Sequence, residues 1–129
     1  MKWNIVLPVL AAVLSVGFAS LVGGPQDVDV NDEGAQNALS FAVNEHNKRS
    51  NALFLTRPME VIRVQRQVVA GLLYTMTVRM GKTPCRKNNA SDACAVHDDP
   101  EKAQAYQCVF KVWSKPWQNE IKLTEETCS

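Results

Sequence analysis

The sequence predicts an α+β domain in which an antiparallel β-sheet packs on one long α-helix. Two observations support this prediction. An amphipathic helical pattern occupies the first half of the chain, and several strand-like segments follow it. Strands that run in sequence after a single helix favour an antiparallel sheet that buries one face against that helix.

The N-terminus has the features of a secretory signal peptide. Lys2 supplies a positive charge, residues 5–18 are mostly apolar, and small residues precede the predicted cut after Ala19. An uncleaved membrane anchor is the alternative, but the apolar stretch is short for a bilayer, and no other stretch of the sequence could span one. We therefore expect residues 1–19 to be the signal peptide and residues 20–129 to form one domain.

The helix is predicted over 31–49. Asn31 is the expected N-cap, acidic residues follow it, and Lys48 and Arg49 end the helix, so both ends carry charges that oppose the helix dipole. Apolar residues recur every three or four positions and form one stripe to be buried: Ala35, Ala38, Leu39, Ala42 and Val43.

After the helix the apolar period changes to two. Four segments rich in β-branched and aromatic residues, the last of them more polar, are predicted as strands: Val61–Arg66, Leu72–Met80, Tyr106–Trp113 and Gln118–Thr127. Residues 81–104 contain prolines, asparagines and two cysteines, and are predicted as a long polar insertion between strands.

The first connection between strands is unusually apolar. A single strand over 59–80 would be about 70 Å long at ~3.3 Å per residue, so the chain must turn, and Gly71 is its turn-permissive residue. Val68, Val69 and Ala70 then form the hairpin tip, where polar residues are usual. A β-branched residue at a tight tip predicts backbone strain at Val69.

The second hairpin is apolar as well. Pro116 forces a turn, and Trp117 follows it. Trp117 either folds back on the core or stands exposed. In a four-strand meander the two tips emerge at the same edge of the sheet, where they would form an exposed apolar patch typical of a binding surface. Leu21 and Val22, just after the predicted cut, are either a disordered leader or a third contact.

Composition limits the kinds of partner and site. Without Lys2, the chain carries 13 basic against 13 acidic residues, which gives no indication of nucleic-acid or membrane-surface binding. An even number of cysteines in a secreted chain indicates two disulfides, with three pairings open, and the spacing argues against a zinc site: Cys85, Cys94, Cys108 and Cys128.

These features together match a known family. The motif Gln67-Val68-Val69-Ala70-Gly71, the pair Pro116-Trp117, the early glycine Gly23 and the four cysteines stand in the same order as in secreted type 2 cystatins, which the chain resembles. The resemblance implies a sheet of about five strands wrapped around the helix, and two disulfides between sequential cysteines. It also implies reversible, tight-binding inhibition of papain-like cysteine proteases such as cathepsins, without metal or cofactor.

The resemblance also implies a role for each part of the binding surface. Leu21 and Val22 would fill non-primed substrate pockets, and Gly23 would turn the backbone away from the catalytic cysteine. The segment Gln67–Gly71 would plug the centre of the cleft, and Trp117, after Pro116, would pack on the primed side. We expect a monomer, with domain exchange through the first hairpin as an alternative.

Two further sites follow from short motifs. Some cystatins inhibit legumain-type asparaginyl proteases through Ser-Asn-Asp after the helix, and here the stretch reads Ser50-Asn51-Ala52, without the aspartate. An ordinary residue at a helix C-terminus is the alternative for Asn51. The sequon Asn89-Ala90-Ser91 makes Asn89 a candidate glycosylation site.

Two other functions are weighed against inhibition. A non-inhibitory, secreted cystatin-fold protein that serves in defence or as a carrier is the first, but such relatives usually lack the first hairpin motif that this chain retains. An enzyme is the second. It would need a nucleophile or an acid–base cluster, and the chain offers bridged cysteines and two separated histidines, His46 and His97.

Overall fold

A computed structural model describes residues 24–89 and 94–129. It contains one sheet with the strands in chain order, packed on one long helix, which confirms the predicted α+β architecture. The elements are β1 (Gln26–Asp27), α1 (Glu33–Arg49), β2 (Phe54–Val68), β3 (Leu72–Arg86), α2 (Pro100–Ala103), β4 (Tyr106–Lys115) and β5 (Glu120–Cys128), with 3-10 turns at Lys87–Asn89 and Pro116–Gln118. The predicted signal peptide lies outside the described residues. Among the described residues, no helix is both long and apolar enough to cross a membrane.

Helix α1 begins one residue later than the sequence predicts. Asp32 is its N-cap, because the Asp32 carboxylate accepts a hydrogen bond from the Ala35 backbone N–H at 3.1 Å. The prediction that Asn31 caps the helix is wrong. Asn31 instead belongs to the preceding turn, where its backbone N–H donates to the Asp29 carboxylate at 2.8 Å.

The core lies between α1 and the inward face of the sheet. The helical stripe is buried as predicted, and the strand residues that face it are fully buried: Met76, Val78, Met80, Phe110 and Val112. Each large apolar side chain removed from water in this way contributes about 1.5 to 3 kcal/mol to folding. Helix α1 therefore shares one core with β3 and β4, to which β2 adds the buried Val64.

The first two long strands extend well beyond their predicted ends. Strands β2 and β3 each contain 15 residues, and residues 81–86, which were predicted to belong to the polar insertion, continue β3. They pair with the start of β2, as in Gly81 with Arg57 and Arg86 with Phe54. The insertion prediction is wrong for these six positions, because the start of β2 supplies a pairing partner that their composition does not reveal.

Both disulfides join sequential cysteines, as the resemblance implied. Cys85 at the end of β3 bonds Cys94, and Cys108 in β4 bonds Cys128 in β5, directly across the strand pair. None of the four cysteines is free. The second bridge fixes the C-terminal strand to the core, because Cys108 is fully buried.

Candidate functional site

The β2–β3 hairpin ends in a three-residue tip. Val68 pairs with Leu72, and Val69, Ala70 and Gly71 connect them. Within the tip the Val69 N–H donates to the Gly71 carbonyl at 2.9 Å. The chain therefore reverses immediately before and at Gly71, as the sequence predicted.

The strain at this tip falls on a different residue from the one predicted. Ala70 has a left-handed backbone with φ of 50°, and Gly71 has φ of 139°, whereas Val69 is not among the described residues with positive φ. The prediction of strain at Val69 is wrong. The turn places its unfavourable dihedral one residue later, where a methyl group meets less steric resistance than a β-branched side chain would.

Both hairpin tips present apolar side chains to solvent. Val68 is 72% exposed, Val69 is 40% exposed and Trp117 is 65% exposed. Trp117 lies in the 3-10 turn Pro116–Gln118 between β4 and β5, so it is not part of the core, and the alternative in which it folds back is excluded. These side chains remain in water although the core lies nearby, which is the usual mark of a surface that binds a partner.

The two tips lie side by side at one edge of the sheet. Leu72 at the end of the first tip pairs with Ser114, just before the second. The indole N–H of Trp113 donates to the Val69 carbonyl at 3.4 Å and so links the two hairpins. We name this edge, formed by residues 67–71 and 116–117, the two-tip edge.

The N-terminal strand points towards the two-tip edge. In β1, Gln26 pairs with Arg66 and Asp27 with Gln65, in antiparallel orientation, so the chain before Gln26 runs in the direction of Val68. The three residues predicted to form the N-terminal contact, Leu21, Val22 and Gly23, lie outside the described residues.

Charged side chains flank the two-tip edge, where they form an ion pair and cation–π contacts. Beside the first tip, Arg66 Nη1 lies 3.6 Å from the Asp32 carboxylate, next to the start of α1. Beside the second tip, the ammonium groups of Lys115 and Lys122 lie 5.0 and 5.8 Å from the centre of the Trp113 ring. The tips themselves carry no charged side chain, so the apolar patch is bordered by charge rather than interrupted by it.

The segment after the helix lies at the opposite end of the sheet. Ser50 is the C-cap of α1 with an extended backbone, and its hydroxyl accepts a hydrogen bond from the Ala52 N–H at 3.1 Å. Asn51 is exposed and directly follows the C-cap Ser50, at a position where asparagine is common, and its backbone is not left-handed. Phe54, which begins β2 beside this segment, lies at the far end of the strand from Val68.

The described residues offer little to a metal. Within this part of the chain, the one group of three or more metal-type side chains with ligand atoms within 4.8 Å of one another consists of His46, Cys108 and Cys128. Both cysteines are oxidised to a disulfide, so no thiolate is available for coordination. The candidate sequon lies outside the described residues, except for the backbone of Asn89 in its 3-10 turn.

Comparison with known proteins points to one family throughout. The model of the cystatin domain family matches residues 23–117, which is most of the chain. The chain belongs to the cystatin family. It is 48% identical to a cystatin of Oncorhynchus keta over 99% of this chain and 98% of that protein, and 50% identical to a cystatin-C of Paralichthys olivaceus over 96% and 98%.

Solved cystatin structures have the same fold. The structure of dimeric human cystatin F superposes with a TM-score of 0.75 at 29% identity, covering 83% of this chain and 86% of that one. The cystatin family consists of protease inhibitors rather than enzymes, and membership supports cysteine protease inhibition in general for this chain. The two-tip edge thus belongs to a cystatin, and the sequence motifs identified its apolar members.

One residue beside the two-tip edge, Trp113, had no predicted role. The sequence placed Trp113 at the end of a predicted strand, with no indication that its indole reaches the other hairpin. Only the adjacency of the hairpins shows that contact, because the two residues it joins are 44 positions apart.

Proposed function

We propose that this cystatin is a secreted, reversible, tight-binding inhibitor of papain-like cysteine proteases such as cathepsins, and that it is not an enzyme. It blocks the active-site cleft with the N-terminal segment and the two hairpin tips. The observation that carries the proposal is the exposed apolar patch of Val68, Val69 and Trp117 on adjacent tips at one edge of the sheet. A convex apolar edge of this kind fits the concave, apolar cleft of a protease that binds extended peptides.

Inhibition in this proposal works by exclusion rather than by reaction. The valines displace water from the centre of the cleft, and Trp117, held by Pro116, packs on its primed side. Full burial of a valine contributes about 1.5 to 3 kcal/mol, and two tips already in place lose little conformational freedom on binding. Gln67 and Gly71 flank the first tip: Gln67 pairs with Leu73, and Gly71 allows the reversal.

The N-terminal segment contributes the third contact. The direction of β1 supports this assignment, because the chain before Gln26 runs towards Val68. Leu21 and Val22 occupy non-primed pockets, and Gly23 turns the backbone away so that no peptide bond is presented for cleavage. Deleting residues 20–22 from the mature protein should weaken inhibition without changing its stability.

Titration of papain with the mature protein tests the proposal. The papain concentration is fixed by active-site counting, and residual activity is followed as the cystatin is added. We expect a linear loss of activity that ends at one molecule of cystatin per active site, and recovery on dilution. Full papain activity at micromolar cystatin would reject inhibition and would favour the non-inhibitory defence or carrier function.

A second inhibitory site, for legumain-type asparaginyl proteases, is proposed at Asn51. Asn51 and its neighbour Ala52 are exposed at the end of the sheet opposite the two-tip edge, so both proteases would fit at once. The chain lacks the aspartate of the family motif, so Ala52→Asp should strengthen inhibition of legumain, and Asn51→Ala should abolish it. If neither wild type nor Ala52→Asp slows legumain, this second site is absent.

Processing and assembly complete the proposal. Secretion removes residues 1–19, so N-terminal sequencing of the secreted protein should begin at Ser20. The protein acts as a monomer, and the strained β2–β3 tip gives it a route to a domain-swapped dimer. Glycosylation at Asn89 would appear as a mass that a glycosidase removes.

A further inference from the structure

Trp113 occupies the space between the two hairpin tips. Its indole N–H donates to the Val69 carbonyl at 3.4 Å. Its ring also lies close to Gly71, because a Cβ added at Gly71 would be 2.8 Å from Trp113 Nε1. The ring therefore contacts the first tip at both of its ends, from a position on the second hairpin.

The orientation of the Trp113 ring is fixed by its neighbours in the sheet. On β4 it pairs with Leu73 of β3 on one side and with Lys122 of β5 on the other. The ammonium groups of Lys115 and Lys122 lie near the ring, at 5.0 and 5.8 Å from its centre, within the range of cation–π attraction. The indole is thus held in place independently of the bond that it makes to Val69.

Apart from the close approach of Gly71 to the second hairpin, one hydrogen bond among the described residues holds the first tip in place. Within the described residues, the Trp113 bond is the hydrogen bond that joins residues 69–71 to the second hairpin. The Val69 and Ala70 side chains are exposed, and Ala70 has an unfavourable left-handed backbone. A strained tip with few contacts samples other conformations unless a side chain from outside the tip restricts it.

We propose that Trp113 is a positioning residue for inhibition. Through the Val69 carbonyl and the contact with Gly71 it sets the place of the first tip relative to Trp117, so that both tips enter one cleft together. It does this without being a main contact of the protease. The inference rests on the proposed binding of proteases by the two-tip edge. It attributes part of the affinity to a contact within the inhibitor, which holds the tips in their binding arrangement before the protease binds.

The substitution Trp113→Phe tests this role, because phenylalanine keeps an aromatic ring in the strand and removes the N–H donor. We expect the dissociation constant for papain to rise about three- to fivefold, as for the loss of one long hydrogen bond. We also expect faster amide hydrogen exchange at Val69 and Ala70 by NMR. Lys122→Gln, which keeps the indole and removes one cation beside it, should give a smaller change in exchange at the same amides.

Tyr106→Phe is the matched control on the same strand. Tyr106 lies at the other end of β4 and contacts His46 on the helix, so this variant should lose stability without a change in affinity or in exchange at the tip. Unchanged affinity and unchanged tip exchange in Trp113→Phe would overturn the inference. Equal losses of affinity in Trp113→Phe and Tyr106→Phe would also overturn it, because the effect would then follow from general destabilisation.

The positioning role of Trp113 and the proposed function can fail independently of each other. If wild-type protein fails to inhibit papain, the proposed function fails, and the tip-exchange measurement still decides whether Trp113 orders the tip. If wild type inhibits and Trp113→Phe inhibits equally well, only the positioning role fails.

Discussion

The imidazole of His46 bridges the helix to two strands, with Nε2 2.7 Å from the Tyr106 hydroxyl on β4 and Nδ1 hydrogen-bonded to the Glu126 carboxylate on β5. Arg49, one turn further along the helix, adds a contact to Glu126 at 3.7 Å. This polar cluster borders the buried Phe110 ring, which packs edge-on against His46. It fixes the C-terminal half of α1 to the strands that carry the second tip.

The first prediction concerns the pH dependence of stability. Burial raises the pKa of the Tyr106 hydroxyl, a hydrogen bond with Thr56 lowers it, and the negative charge of Glu126 raises it, with a net increase. Between the unfolded pKa of about 10 and the higher folded value, the unfolded chain releases the proton first. The contribution of Tyr106 to the free energy of unfolding is therefore fully present below pH ~10 and is lost as the pH rises through the folded pKa.

Urea unfolding of wild type and Tyr106→Phe from pH 8 to 11 measures this effect. At pH 8 the variant should be less stable by about 0.5 to 1.5 kcal/mol, because it lacks the hydrogen bond to His46. The difference should shrink above pH 10, where wild type alone loses the contribution of Tyr106. A difference that stays constant across the whole range would contradict the assigned pKa shift.

The second prediction is that Trp117 contributes to binding and not to folding. Its side chain is 65% exposed, so Trp117→Ala should change the free energy of unfolding by no more than about 0.5 kcal/mol. Loss of an aromatic anchor that the protease buries should cost about 2 to 4 kcal/mol of papain binding. Inhibition kinetics and urea unfolding of the same preparation separate the two quantities.

Phe54→Ala is the matched control for Trp117. Phe54 is 39% exposed at the opposite end of the sheet, where its ring lies 5.9 Å from the Arg86 guanidinium. This variant should leave papain inhibition unchanged. Equal effects of the two substitutions on inhibition would mean that the two-tip edge is not the binding surface.

The sequence predicted the parts of the fold that depend on local pattern. The apolar stripe of α1, the inward face of β3 and the reversal at Gly71 follow from period and length alone. The extension of β2 by residues 54–60 and of β3 by residues 81–86 did not, because Pro58 and Pro84 are typical of breaks in a strand. Those residues form strands because each segment pairs with the other.

The sequence likewise predicted one part of the candidate site and missed another. Exposed valines and a tryptophan at two turns contradict turn propensity, and that contradiction identified Val68 and Trp117. The role of Trp113 has no such signal, because an aromatic residue is ordinary in a strand. Its significance depends on a contact across two hairpins, which only the three-dimensional arrangement defines.

The third prediction is that Gly71 cannot carry a side chain. Its φ is 139°, and an added Cβ would lie 2.8 Å from Trp113 Nε1 and 3.1 Å from the Ser114 carbonyl oxygen. Gly71→Ala should therefore lower the free energy of unfolding by more than about 1 kcal/mol and weaken papain inhibition. Thermal unfolding and a papain titration measure the two effects.

Gly24→Ala provides the matched comparison for stability. A Cβ at Gly24 would meet nothing within 4 Å, and the backbone there is not in the left-handed region. Its effect on unfolding should stay within about 0.5 kcal/mol. If Gly71→Ala is as stable as Gly24→Ala, the tip relaxes freely, and the close packing of the two hairpins does not constrain it.

The fourth prediction concerns the strain at Ala70. A left-handed backbone costs a non-glycine residue about 1 to 2 kcal/mol, which Ala70→Gly removes. Glycine also increases the entropy of the unfolded chain, so Ala52→Gly is the matched control, at an exposed position outside the left-handed region. The entropy gained by the unfolded chain is the same in both variants and cancels when they are compared. Ala70→Gly should therefore be more stable than Ala52→Gly by about 1 to 2 kcal/mol.

The same substitution should reduce domain exchange. Opening the first hairpin would straighten residues 69–71 into a strand that joins β2 to β3 and would release the strain at Ala70, so strain in the closed tip favours the dimer. Size-exclusion chromatography after partial unfolding and refolding should show less dimer for Ala70→Gly than for wild type and Ala52→Gly. Equal dimer fractions in all three proteins would mean that hairpin strain does not drive exchange in this chain.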